Sequence, residues 1–274
     1  MKNNLCIENL FGIPKALIGM VHLEALPGTP MGTHSVSAVI KKAIQEAKLL
    51  ESHGFHGILI ENMHDRPYVK SPSAPEITAM IAVVAAKIKD AVNIPIGIQI
   101  LAGANEEALA AAVASGASFV RVEGFVFAHI ADEGLIEGCA GRLLRYRKQI
   151  GADEICIFAD IKKKHSSHAM TGDVDIAETA HAAEFFLADG VIVTGSSTGK
   201  AADLDELKKV AQAVKIPKLI GSGITPHNIE SFIRFADAFI VGSYIKKGGL
   251  WSNELDSHRM KELVSAFNQC FVTT

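Results

Sequence analysis

Gly57-Ile-Leu-Ile-Glu-Asn62 is the stretch on which the fold turns, a short apolar, largely β-branched run closed by two polar residues. A strand buried on both faces reads as a continuous apolar run, the mark of a parallel sheet covered by helices. Just upstream, Ser35 or Ser37 can cap a helix whose apolar positions Val39, Ile40, Ala43, Ala47 and Leu50 form one stripe. Gly54 ends that helix. Working outward, similar runs recur at Ala16–His22, Pro95–Ile100, Phe119–Gly124, Cys156–Lys162, Gly190–Gly195, Lys218–Gly223 and Ala238–Ser243. Most end in glycine or a polar residue, and most are separated by alanine-, leucine- and lysine-rich sequence with helical spacing. Eight such units predict an α/β protein with a closed (β/α)8 TIM barrel.

The intervening helices carry their own punctuation. Pro75 to Ala91 has Glu76 near its start and Asn93-Ile-Pro95 after it, and Asn105 to Gly116 follows. Asp173 or Asp175 caps the helix running to Ala188, and Asp203 the one running to Val214. A short helix is expected over Pro226–Phe235 and a last one from His258 to Cys270. Two connections that follow strands are long, Met63–Ala74 and Phe125–Gly141, and read as covers over the barrel mouth.

Length and composition bound the rest. The 274 residues suit one barrel domain over 1–274, and 49% apolar residues suffice for a large core. A net charge of -3 without a dense basic block argues against a nucleic-acid partner or an anionic membrane surface. The one short basic run, Lys162-Lys163-Lys164, suits a small anion. Cys6, Cys139, Cys156 and Cys270 lack metal-ligand spacing and read as reduced structural thiols. With no apolar stretch of about 18 residues and no signal-like core in Met1–Phe11, the expectation is a cytoplasmic protein without membrane insertion. Pairing with a second copy is compatible with barrels of this size.

Parallel strands gather their C-terminal ends on one face, where barrel enzymes carry their chemistry. After the seventh and eighth strands stand Gly221-Ser222-Gly223-Ile224-Thr225 and Val241-Gly242-Ser243, whose glycines let backbone N–H groups approach a phosphate. Thr194-Gly195-Ser196-Ser197-Thr198-Gly199-Lys200, after the sixth strand, can reach the same anion, but its spacing is not that of a nucleotide P-loop. Thr194, Gly195, Ser222, Gly223, Gly242 and Ser243 are therefore the expected phosphate ligands.

Strand alternation sorts the charged residues. Arg121 and Glu123 share one face of their strand; Asp160 and Lys162 share one of theirs, with Lys164 next in register if that strand continues. Such pairs are either catalytic or structural ion pairs at the barrel mouth. His22, Glu61, Asn62 and Gln99 end or nearly end the first three strands, and His165 and His168 flank the loop after the fifth. These residues offer general acids and bases, and a lysine that donates a proton, stabilises charge or forms a Schiff base. No metal motif is present, and among cations magnesium suits the carboxylates best.

At these residues the chain resembles the BtpA/SgcQ family. The resemblance rests on Ile18-Gly-Met-Val-His-Leu-Glu-Ala-Leu-Pro-Gly28 and Ile60-Glu-Asn-Met-His-Asp-Arg-Pro67. Further matches are Gln99 to Ala102, Val120-Arg-Val-Glu123, Glu133 to Gly138, Ala159-Asp160, Lys164-His165, Thr194 to Gly199 and Gly221 to Gly223. It implies a ribulose-phosphate-binding type of barrel, with one branch named for photosystem I biogenesis and another associated with sugar-related genes. It also favours Lys164 over Lys162 beside Asp160, while Met63-His64 departs from the family's usual start to the second loop.

The expectation is an enzyme acting on a phosphorylated sugar or nucleoside-like molecule, of isomerase, epimerase or lyase type. His22, Glu61, Glu123, Asp160 and Lys164 would be catalytic, and Asn62, Gln99, Arg121 and His165 would contact substrate. The alternatives are a non-catalytic biogenesis or stability factor and a hydrolase of glycosidic bonds.

Overall fold

The computed structural model describes residues 5–195 and 199–271. Eight parallel strands close into a barrel: Ala16–His22, Gly57–Glu61, Ile96–Gln99, Phe119–Val122, Cys156–Ile161, Gly190–Val193, Lys218–Ile220 and Ala238–Val241. Closure is made where the last strand meets the first, with Ile240 opposite Ile18. Each strand falls inside a run expected from sequence; His22, Glu61 and Gln99 still belong to their strands, and the residues after the last strands form turns above the ring.

The helix signals act largely as expected. Ser35, not Ser37, caps Val36–Ser52 by accepting from the Ala38 N–H. Asp175 and Asp203 do the same for Ile176–Phe185 and Leu204–Ala213. Gly116 ends Asn105–Ser115 at φ 72°, a left-handed conformation that costs glycine little. The helix expected over Pro226–Phe235 shrinks to Ile229–Phe232.

Period-two alternation stacks the barrel interior in layers. Ile18, Met20, Leu59, Phe119, Phe158, Ile192, Leu219 and Ile240 pack inside the ring, while a larger core fills the space between strands and helices. Phe119 fits because Gly97 stands beside it: a Cβ there would lie 2.1 Å from the ring. Below, a helix over Leu5–Phe11 plugs the barrel, pressing Ile7 and Phe11 into the inner core, with Phe11 edge-on to Phe119 at 5.7 Å. Nothing in the sequence reading anticipated this plug. Seven residues are too few for a stable isolated helix, whereas each buried side chain returns about 1.5–3 kcal/mol.

The Phe125–Gly141 connection also departs from the expected loop. Its strands His129–Ala131 and Gly134–Ile136 form an antiparallel hairpin, joined by Ser166–Ser167 from the connection after the fifth barrel strand. Strands of two and three residues leave too short an alternation to read. This small sheet ties two covers of the barrel mouth together.

Candidate active-site cavity

Above the apolar layers the inward positions turn polar, and the connections around them enclose a cavity of about 470 Å³. That is within the usual range for small-molecule sites. His22, Glu61, Gln99, Arg121, Glu123, Lys164, His165, Ser222, Gly223, Gly242 and Ser243 all stand on its wall. Asn62, Asp160, Thr194 and Gly195 do not.

Asp160 lies behind the wall. Its side chain is wholly enclosed, and both its oxygens accept from Arg121, Nε at 3.0 Å and Nη2 at 3.1 Å. Burial pushes the Asp160 carboxyl up, against the pull of the guanidinium. Expected to do acid/base work, Asp160 is instead placed to hold Arg121, which faces the cavity. Asn62 is occupied in a similar way: its amide donates to Asp65 at 3.0 Å and accepts the Leu101 N–H at 2.8 Å, stitching two connections together.

The three lysines separate. The strand stops at Ile161 and Lys162 takes φ 49°, so the register does not continue as the alternation had projected. The Lys162 amine donates to the Thr171 carbonyl, away from the cavity. Lys163 reaches the wall and pairs with Glu123 at 3.1 Å, while Gln99 donates to the other Glu123 oxygen at 3.2 Å. Burial would lower the Lys163 amine, but Glu123 outweighs it and the net shift is upward. Lys164 stands on the wall with no carboxylate within 4 Å among the described residues. Burial lowers its amine, and the Arg121 charge lowers it further.

His22 and Glu61 form a second unit. Trp251 presents its carbonyl to His22 Nδ1 at 3.0 Å, so that nitrogen carries the proton and donates, leaving Nε2 as an acceptor. Nε2 faces Glu61 Oε2 at 3.6 Å. Burial holds the imidazole neutral, its pKa lowered to about 3, and the Lys246 charge adds to the effect. Burial pushes the Glu61 carboxyl up in turn, against Arg121 and Lys164. A neutral imidazole nitrogen and a carboxyl with a raised pKa therefore face each other across 3.6 Å, beyond hydrogen-bond distance.

The seventh and eighth turns present backbone rather than side chains. Ser222 is buried, accepting from the Gly195 N–H at 2.8 Å and donating to the Lys200 carbonyl at 3.0 Å, so its hydroxyl shapes the turn. Gly223 stands at φ 71°, and a Cβ there would meet Ala201 N at 2.2 Å. The N–H groups of Gly223, Ile224, Gly242 and Ser243 donate to no acceptor among the described residues. Nearby, the Arg259 guanidinium lies 4.3 Å over the Tyr244 ring and also lines the cavity. Thr194 is buried, its hydroxyl without a partner among the described residues, and Ser196, Ser197 and Thr198 lie outside them.

The wall also holds residues to which the sequence reading assigned no role. Arg66 and Tyr68 come from the long second connection, and the Arg66 guanidinium sits 5.4 Å over Trp251. Trp251, the single tryptophan, sits between His22 and His64, with ring centroids 6.1 and 5.0 Å away. For Arg66 and Tyr68 the length of the second connection was the one legible signal. Glu123 is paired with Lys163, and among the described residues no group of three or more His, Cys, Asp or Glu side chains is gathered as metal ligands would be.

The family model described as the BtpA family matches residues 13–269. The chain belongs to the BtpA family. One relative, a Caenorhabditis elegans protein described as uncharacterized and mitochondrial, is 49% identical over 98% of this chain and 99% of its own. Another BtpA-family relative, the photosystem I biogenesis protein BtpA of Synechocystis, is 36% identical over 91% of this chain and 87% of its own. Among solved structures, thiamine phosphate pyrophosphorylase from Pyrococcus furiosus superposes with TM-score 0.57 at 14% identity, covering 98% of both chains. Phosphoribosyl anthranilate isomerase from Thermus thermophilus gives TM-score 0.56 at 12% identity, covering 93% of this chain and 98% of that one. At such identities the likeness of these enzymes to the BtpA-family chain is one of fold. Among the described residues no helix is long and apolar enough to cross a membrane.

Proposed function

We propose that the cavity binds a phosphorylated sugar or nucleoside-like molecule and rearranges it by acid/base chemistry, as an isomerase, epimerase or lyase. One observation carries this reading. A single cavity holds four amides without an acceptor among the described residues on one side, and on its wall the Lys164 amine and the His22–Glu61 pair. The amides of Gly223, Ile224, Gly242 and Ser243, with Arg259 beside them, would hold the phosphate. Glu61 would pass protons to and from the sugar, with the neutral His22 imidazole beside it. Arg121, held by Asp160, would stabilise an oxyanion. Glu123, Gln99 and His165 would contact hydroxyls. Magnesium enters this proposal only as a counter-ion of the phosphate.

The names of two barrels of the same fold, a thiamine phosphate enzyme and a phosphoribosyl isomerase, accord with such a ligand. A glycosidic hydrolase is less well supported, because Glu123 is ion-paired with Lys163. The name of the Synechocystis relative supports a second reading, a biogenesis factor that binds without turnover.

The test is a panel of phosphorylated sugars, each with its unphosphorylated counterpart, followed by thermal unfolding and by NMR in deuterated water. A true ligand at about 100 times its Kd adds about 2.7 kcal/mol to stability. Stabilisation with exchange of a carbon-bound proton supports the enzyme, and stabilisation without exchange or conversion supports the biogenesis factor. If no phosphorylated compound stabilises the protein more than its counterpart does, the reading fails.

A further inference from the structure

We propose that Lys164 forms a covalent imine with an open-chain carbonyl compound whose phosphate sits in the amide-lined turns; this deepens the preceding proposal and rests on it. The inference comes from comparing the buried cations. Arg121 is taken by Asp160, Lys163 by Glu123, Lys246 by both oxygens of Glu46, and Lys162 by a backbone carbonyl. An ammonium pinned to a carboxylate stays charged and cannot attack a carbonyl carbon. Lys164 alone of this set faces the cavity without such a partner among the described residues. Burial and Arg121 favour its uncharged form and outweigh the opposite pull of Glu61, Asp160 and Glu123.

The step balances without a co-reactant. The nitrogen lone pair of Lys164 forms a C–N bond with the carbonyl carbon, and the C–O π pair moves to oxygen. Glu61, whose carboxyl burial pushes toward its protonated form, supplies a proton to that oxygen. The nitrogen returns one proton to Glu61, which passes it to the hydroxyl of the resulting carbinolamine; that hydroxyl leaves as water, and the second nitrogen proton goes to Glu61, leaving C=N. In net terms the two amine hydrogens depart with the carbonyl oxygen. The imine, once protonated, draws electrons from the adjacent C–H or C–C bond, as isomerisation or carbon-bond cleavage requires. The substrate class is therefore a phosphorylated ketose or aldose in its open form.

Pyridoxal 5'-phosphate, a phosphorylated aldehyde, is the probe. The full chain is incubated with it, reduced with borohydride and mapped by peptide mass spectrometry. Lys164 is expected to be labelled severalfold faster than any other lysine, because the uncharged amine is the form that attacks the aldehyde. Inorganic phosphate should protect it, unphosphorylated pyridoxal should label it far less, and Lys164→Met should lose the adduct while still being stabilised by phosphate. Labelling spread evenly over the lysines, or confined to Lys162 or Lys163, would overturn the imine. If inorganic phosphate stabilises the protein while Lys164 stays unlabelled, the imine is wrong and the phosphate site stands. If phosphate neither stabilises nor protects, both proposals fall.

Discussion

Asp160→Asn tests how the barrel mouth is held together. The substitution keeps the shape of the side chain and one acceptor oxygen but removes the charge that two guanidinium nitrogens of Arg121 address at 3.0 and 3.1 Å. Removing one partner of a buried pair typically costs about 3–5 kcal/mol, because the other charge is left desolvated and uncompensated. Glu61 and Glu123 also attract Arg121, which places the expected cost at the lower end, about 3 kcal/mol. For a chain of this size that is roughly a 6–12 °C fall in Tm. Urea denaturation followed by tryptophan fluorescence and by circular dichroism measures it. The double variant Arg121→Met, Asp160→Leu should recover much of the loss, since apolar replacement of a buried pair is often neutral or better. Asp160→Asn within about 0.5 kcal/mol of the parent would refute the assignment of Asp160 as the anchor of Arg121, because that is the scatter of substitutions away from any such feature.

Other outcomes follow from the same geometry. Gly223→Ala should abolish stabilisation by inorganic phosphate, since its Cβ would meet Ala201 N at 2.2 Å and its φ of 71° disfavours alanine; unchanged phosphate-dependent Tm would count against the turn as an anion site. His22, held neutral in the fold down to about pH 3 against an ordinary value of 6.5, contributes stability that is present above pH 6.5 and lost as pH falls toward 3. His22→Gln should therefore flatten the decline of unfolding free energy across that window, and an unaltered profile would show that another group sets it. Cys6 and Cys156 bring their sulfurs to 2.7 Å where the basal helix meets the barrel. Diamide should join them slowly, because the Cys6 contact and burial push the Cys156 thiol up. The bond would raise stability by up to about 5 kcal/mol on the loop-entropy estimate, and a similar rise in Cys6→Ser would exclude this pair.

Local rules in the chain specified the eight-fold repeat, because each unit carries its own hydrophobic period and its own caps. Ser35, Asp175 and Asp203 act on amides two or three residues away, so their effect is visible in a short window of sequence. Alternation likewise placed Arg121 and Glu123 on one face, since period two is a property of the strand alone. Glycine-serine pairs after the last two strands pointed to the amide-lined turns for the same reason. Everything that depends on which groups meet across the barrel was decided by tertiary structure. The Leu5–Phe11 plug forms only against a completed inner core, and the small antiparallel sheet only where two distant connections pass each other. The division of labour among Lys162, Lys163 and Lys164 turns on one left-handed residue and one distant carboxylate. Consecutive positions in the sequence are alike in chemistry, and only their partners in space make one a tether, one an ion pair and one a candidate nucleophile.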